Sequence, residues 1–154
     1  MLLYTDRESN KAEKLKDYLQ GRLRNMADLR SIGEISAEEG DFRSELRSRG
    51  DCIVLVGSRH ASYLIEGRQQ EVDDDFLKFD GKVIHEEFTG NKEFIEKLII
   101  VYLTTERSND DWIPDGLDEK RIFNLQSEKI VESPLLCLLE YSIRKILLGD
   151  SFMM

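Results

Sequence analysis

The sequence predicts an α/β domain whose parallel sheet is covered by helices on both faces. Three observations predict it. Short β-rich runs and helical segments alternate about five times along the chain, the pattern of strand–helix–strand units with right-handed crossovers. Two of the runs, CIVLVG from Cys52 and LIIVYL from Leu98, are continuously apolar, as strands are when both their faces are buried. At 154 residues and 17.9 kDa the chain suits one domain, and a flavodoxin-like three-layer sandwich with a central five-stranded parallel sheet fits that length. The expected domain is 1–150, with 151–154 as a C-terminal tail.

MLLYT opens as a strand. Asn10 is a candidate N-cap with Glu13 at capping-box spacing, and Ala12, Leu15, Leu19 and Leu23 recur at helical intervals. A first helix therefore runs to about Arg24. LRSIGEI is the weakest strand candidate. Phe42 and Leu46 mark a short amphipathic helix that Gly50 ends. After CIVLVG, Ala61 to Gln70 reads as helix or turn. KLIIVYLTT is the next strand, followed by the polar loop ERSNDDWIPDGLDEK and a short strand, RIFNL. Ser133 is placed to cap a last helix with Pro134 at its first position, where a missing N–H does no harm. That helix is apolar almost all round and ends at Gly149.

FDGKVIHEEFTGN, Phe79 to Asn91, admits two readings. Asp80-Gly81 is a dipeptide that closes two-residue hairpins, whereas VIHEEF suits a helix. A parallel sheet leaves little use for a hairpin in mid-chain, so the helix is preferred and FLKFDG becomes an irregular connection.

Composition narrows the function. The net charge of −9, from 31 acids against 22 bases, opposes binding to nucleic acid or to an anionic membrane. The apolar runs fall far short of the ~20 residues that cross a bilayer, and MLLYTDRES is not a signal peptide. Cys52 and Cys137 form no CxxC and read as small buried hydrophobes; with two distant histidines they make no zinc site. A cytoplasmic protein is expected, with no membrane insertion, no metal and no cofactor.

In such a sheet, functional groups gather beyond the carboxyl ends of the strands. That rim would comprise Thr5 to Ser9, Gly57 to Ser62 and Thr104 to Asp118. A receiver domain fits poorly, because Gly57-Ser58 stands where a phosphorylatable aspartate would be needed. The strained GxSxG elbow of α/β hydrolases is absent, so Ser58 with His60 does not make a hydrolase. His60 and His85 read as polar surface side chains; beside Glu86 and Glu87, His85 would otherwise be placed to sense pH.

Several segments together resemble the Toll/interleukin-1-receptor (TIR) domain and its relative, the SEFIR domain of interleukin-17 signalling. LLYTDRES is similar to the family's first strand and acidic loop. CIVLVGSRHASYL looks like its third strand with a following Ser and Tyr. VIHEEF before EKLIIVYL resembles its helix with a Glu-hydrophobic pair leading into the fourth strand. The IPDGL loop, the IFNL strand and the last helix complete the order. The sequence departs from the family where GEISAEEGD, Gly33 to Asp41, replaces an Arg-Asp pair before Pro-Gly. It also lacks the Phe-Trp box and the aromatic-Trp-Cys motif.

The resemblance implies an intracellular signalling module that associates with other TIR/SEFIR-like domains, itself included. Its surface would comprise the Gly33 to Asp41 loop and the Gly57 to Gln70 segment. Acids Glu38, Glu39 and Asp41 would meet bases Arg43 and Arg47 of a second copy; a solvated loop and helix is the plain alternative. It also implies an alternative, cleavage of NAD to nicotinamide and an ADP-ribose product. The carboxylate would be Glu87, or Glu86 if the register slips by one, stabilising oxocarbenium-like charge at the ribose. Tyr4, Asp6, Ser58, Tyr63 and Trp112 would then be candidates for ligand contact. The competing reading of Glu87 is a solvated position, since charged side chains are mostly exposed.

Overall fold

A computed structural model describes residues 2–3, 9–23, 51–57, 62–63, 65–66, 81–103, 113–114, 116–125 and 134–148 of the chain. In chain order they form β1 (Leu2–Leu3), α1 (Ser9–Leu23), β2 (Ile53–Gly57), α2 (Gly81–Gly90), α3 (Lys92–Glu96), β3 (Leu98–Tyr102), a 3-10 turn (Glu119–Arg121), β4 (Ile122–Asn124) and α4 (Pro134–Leu148). The strands make one parallel sheet in the order β1-β2-β3-β4. Four strands are thus seen among the described residues; the LRSIGEI strand and the Phe42–Leu46 helix expected from the sequence lie outside them.

The centre of the sheet is the β2–β3 ladder, with Ile53 opposite Leu98 and Gly57 opposite Tyr102. Every residue of both strands is buried. Successive side chains in a strand point to opposite faces, so both faces of the sheet centre are covered. This is what the unbroken apolar runs require. Gly57 ends β2 for a steric reason. A Cβ built there would lie 2.6 Å from Cε1 of Tyr102, so the glycine leaves room for the tyrosine ring on the neighbouring strand.

α1 presents Ala12, Leu15, Leu19 and Leu23 to the core, the spacing read from the sequence. It begins at Ser9, so Asn10 sits in the first turn and is not the N-cap expected of it. Lys11, two residues into the helix, reaches across the sheet edge and donates from Nζ to the Leu103 carbonyl at 3.0 Å. The start of α1 is thereby fastened to the carboxyl end of β3.

From Gly81 onward the stretch is helical, while Phe79 and Asp80 lie outside the described residues. Gly81 opens α2, and the Asn91 N–H closes it on the Glu87 carbonyl at 3.0 Å. Asn91 also caps α3, its Oδ1 accepting from the backbone N–H groups of Glu93 and Phe94. The two helices pack through Phe88 and Phe94, whose rings are 5.7 Å apart and tilted by 57°. Of the segment expected to be helix or turn, residues 62–63 and 65–66 are described, and there the Glu66 N–H donates to the Ser62 carbonyl at 2.9 Å.

β4 is set by its own entry turn. Asp118 caps that turn, accepting from the Lys120 N–H at 2.9 Å, and Gly116 precedes it at φ 93, a left-handed backbone that suits glycine. Arg121 then donates to the carbonyls of Glu96 and Leu98, pinning the start of β4 to the start of β3.

α4 starts at Pro134, as expected for a proline at the first position. Leu136, Leu139 and Ile143 face inward and are buried. Its second apolar stripe faces outward: Leu138 is 56% exposed and Tyr141 49% exposed. Cys137 shares that exposure, so of the two cysteines only Cys52 behaves as the buried hydrophobe both were expected to be. Burial pushes the Cys52 thiol up to about 11, against the smaller opposing pull of the N-terminal ammonium and Arg121. α4 is fastened to α1 by charge. Glu140 accepts from Arg22 Nε at 2.6 Å and from Arg144 Nε at 3.1 Å, while Arg144 also donates to the Arg22 carbonyl at 2.9 Å.

Candidate functional site

α2 sorts its side chains by face. Val83, Ile84, Glu87 and Phe88 turn inward, at i and i+4 pairs, while His85, Glu86 and Thr89 face solvent. Glu87 therefore occupies an apolar stripe and is only 4% exposed. Burying a carboxylate is costly unless its oxygens are hydrogen-bonded. Asn91, one turn on, supplies a partner by donating from Nδ2 to Glu87 Oε2 at 2.8 Å. The same amide thus orients the acid with its nitrogen and caps α3 with its oxygen.

Of the two acids the sequence left open, the inward one is Glu87, and Glu86 is solvent-facing. His85 is exposed on the same outer face as Glu86. Tyr63 is half-buried and packs against the hydrophobic core beside the turn that follows β2. Tyr4, Asp6, Ser58, His60 and Trp112 lie outside the described residues, as do Glu38, Glu39, Asp41, Arg43 and Arg47.

Three features escaped sequence reasoning. The Asn91 partnership is one; its signal was the i, i+4 spacing from Glu87 together with the N-cap preference of asparagine. Lys11 at the carboxyl end of β3 is the second, and nothing local announces so distant a contact. The third is a groove of about 570 Å³ lined by the end of α3, the 3-10 turn and the residues just before it, β4 and α4. Its strand residues, Ile122 and Phe123, belong to β4; Gly116, Leu117 and Asp118, expected on the carboxyl rim of the sheet, line it just ahead of the amino end of that strand. Of the candidate side chains that are described, Tyr63, Glu86 and Glu87, none lines it. The alternation of Leu135, Leu138, Tyr141 and Lys145 along α4 would have pointed to it.

Among the described residues, no group of three or more His, Cys, Asp or Glu side chains is placed to hold a metal ion. None of their helices is long and apolar enough to cross a membrane. No protein-family model, curated protein or solved structure matches the chain.

Proposed function

We propose that the chain is a divergent TIR/SEFIR-like domain that acts in cytoplasmic signalling by associating with other copies of its kind. The observation that carries this reading is the parallel β1-β2-β3-β4 sheet, with the Glu87-Phe88 helix feeding its β3 strand. That is the order in which the resembling segments follow one another. A fifth strand outside β1 would complete a flavodoxin-like sheet, and the ion-paired contact of α1 with α4 suits a first and last helix sharing one face.

The test is self-association of the purified chain, measured by sedimentation over a concentration series. Reversal of charge at Asp41 or Arg47 is expected to abolish it, and restoring the opposite pair in two mixed variants to recover it. A chain that stays monomeric at every concentration refutes the reading.

A second reading is favoured by one observation, the burial of Glu87 against Asn91. In it Glu87 steadies the ribose of NAD while the bond between C1′ and the nicotinamide nitrogen breaks. The bonding electrons leave with the nicotinamide, which departs neutral. Water adds to C1′ and releases one proton, giving ADP-ribose. Incubation with NAD should then yield nicotinamide, with turnover lost in Glu87→Ala and kept in Glu86→Ala.

A further inference from the structure

The two ends of the Asn91 side chain are not interchangeable. Its Oδ1 accepts from the Glu93 and Phe94 N–H groups at 3.1 and 3.4 Å, which commits the amide oxygen to the first turn of α3. The nitrogen is thereby left on the other side, where Nδ2 donates to Glu87 Oε2 at 2.8 Å. A turned amide would set its oxygen against the carboxylate and its NH2 against two N–H groups, losing all three hydrogen bonds. The backbone repeats the link, since the Asn91 N–H donates to the Glu87 carbonyl at 3.0 Å. Those two N–H groups converge on Oδ1 only while α3 is wound. Phe94, which supplies one of them, is buried and packs on Phe88, the residue after Glu87.

We propose that the first turn of α3 governs how the Glu87 carboxylate is held. Wound, the turn aims the Asn91 amide at Oε2; unwound, it lets that hold lapse. Asn91 is thus a positioning residue that acts through Glu87. Such coupling is reciprocal, so neutralising the acid loosens α3 just as unwinding α3 loosens the acid. For its effect on turnover the inference rests on the second reading above, in which Glu87 meets the ribose of NAD. The coupling itself can be measured without that reading. Lys92 offers a change that tightens the device. It is exposed at the first position of α3, and Asn91 before it is extended at φ −138 and ψ 99. Proline suits that position, because the first N–H of a helix has no intrahelical partner and the residue preceding proline favours extended backbone.

The test follows hydrogen exchange of the Phe94 backbone amide and the Asn91 side-chain amide by NMR in the whole chain. Lys92→Pro is expected to slow both by roughly threefold or more, and Glu87→Gln to speed exchange at Phe94 by a similar factor. Amides of β3 should stay unchanged in both variants, which separates the effect from global loosening. Asn91→Ser keeps a capping oxygen but lacks the amide donor, so in that background Glu87→Gln should no longer alter exchange at Phe94. Unchanged exchange at Phe94 in Glu87→Gln, or the same change persisting in the Asn91→Ser background, overturns the proposal. Incubation with NAD then adds a second readout. In Asn91→Ser, kcat should fall by about tenfold while KM stays within about twofold, the mark of a misaimed acid in a formed site. Coupling at Phe94 in a chain that releases no nicotinamide would keep the positioning role and remove the NAD reading. Turnover lost in Glu87→Ala without coupling at Phe94 would keep that reading and overturn the proposal.

Discussion

Asn91 holds the buried carboxylate of Glu87 through a 2.8 Å hydrogen bond from Nδ2, and with Oδ1 it caps the helix that follows. One side chain thus satisfies an inward acid and starts α3. Asn91→Ala removes both contacts, and loss of stability by about 1–3 kcal/mol is expected. Asn91→Asp should retain the cap but set a second negative group against Glu87, so the defect should grow as pH rises through the carboxylate range. Urea denaturation at several pH values checks both.

Gly57 and Tyr102 are opposed in the β2–β3 ladder, and the ring occupies the space a Cβ would need. Gly57→Ala should therefore destabilise the sheet by about 1–3 kcal/mol, the usual cost of overpacking. Combining it with Tyr102→Val should recover part of that loss. Strict additivity of the two changes in a thermal-melting cycle would show that the ring is not the obstacle.

Glu140 joins α1 to α4. Burial works against its charge, but hydrogen bonds and attraction from Arg22 and Arg144 outweigh it and hold the carboxyl below its usual value of 4.5. A depressed carboxylate stabilises the fold above its unfolded pKa and ceases to as pH falls through its folded one. Glu140→Gln should accordingly cost about 1 kcal/mol at neutral pH, a modest figure because Arg22 is half exposed. The difference from the unaltered chain should shrink as pH drops below 4.5 and vanish in stronger acid, as chemical denaturation across that range would show.

The two thiols should differ in reactivity. Cys52 lies in the core with its thiol pushed up to about 11, and Cys137 is exposed on α4. A thiol reagent should label one site rapidly in the folded chain and the second only in denaturant. Mass spectrometry of the digested product would identify the first as Cys137.

The central strands were legible because burial on both faces leaves one kind of residue at every position, as in IVLVG and LIIVY. α1 was legible for the complementary reason: a one-sided burial prints its 3.6-residue period on Ala12, Leu15 and Leu19. Helix α2 was ambiguous because Asp80-Gly81 serves a hairpin or a helix start equally well, and the parallel pairing of distant strands decides between them. Glu87 stood out only through the resemblance of VIHEEF and EKLIIVYL to a family segment, and its burial was not legible, since inward and outward acids look alike among 31 of them. The outer stripe of α4 was visible only as a helix apolar almost all round, with nothing to say which face is covered. Telling one face from the other requires knowing that β4 and its entry turn stop short of covering Leu138 and Tyr141.

The pairing of β2 with β3 has a bearing on synthesis. Ile53 and Leu98 are neighbours in space but 45 positions apart in sequence. A ribosome that has delivered the first must work for roughly 2–9 s more before the second is made, at typical elongation rates. Until then the edge of IVLVG that pairs with β3 has no partner, although β1 and α1 are already made. Such an open edge is the kind of segment that chaperones hold and that misassembles when they do not. Expression of this chain should therefore respond to slower translation at low temperature and to chaperone supply more strongly than to changes on its finished surface.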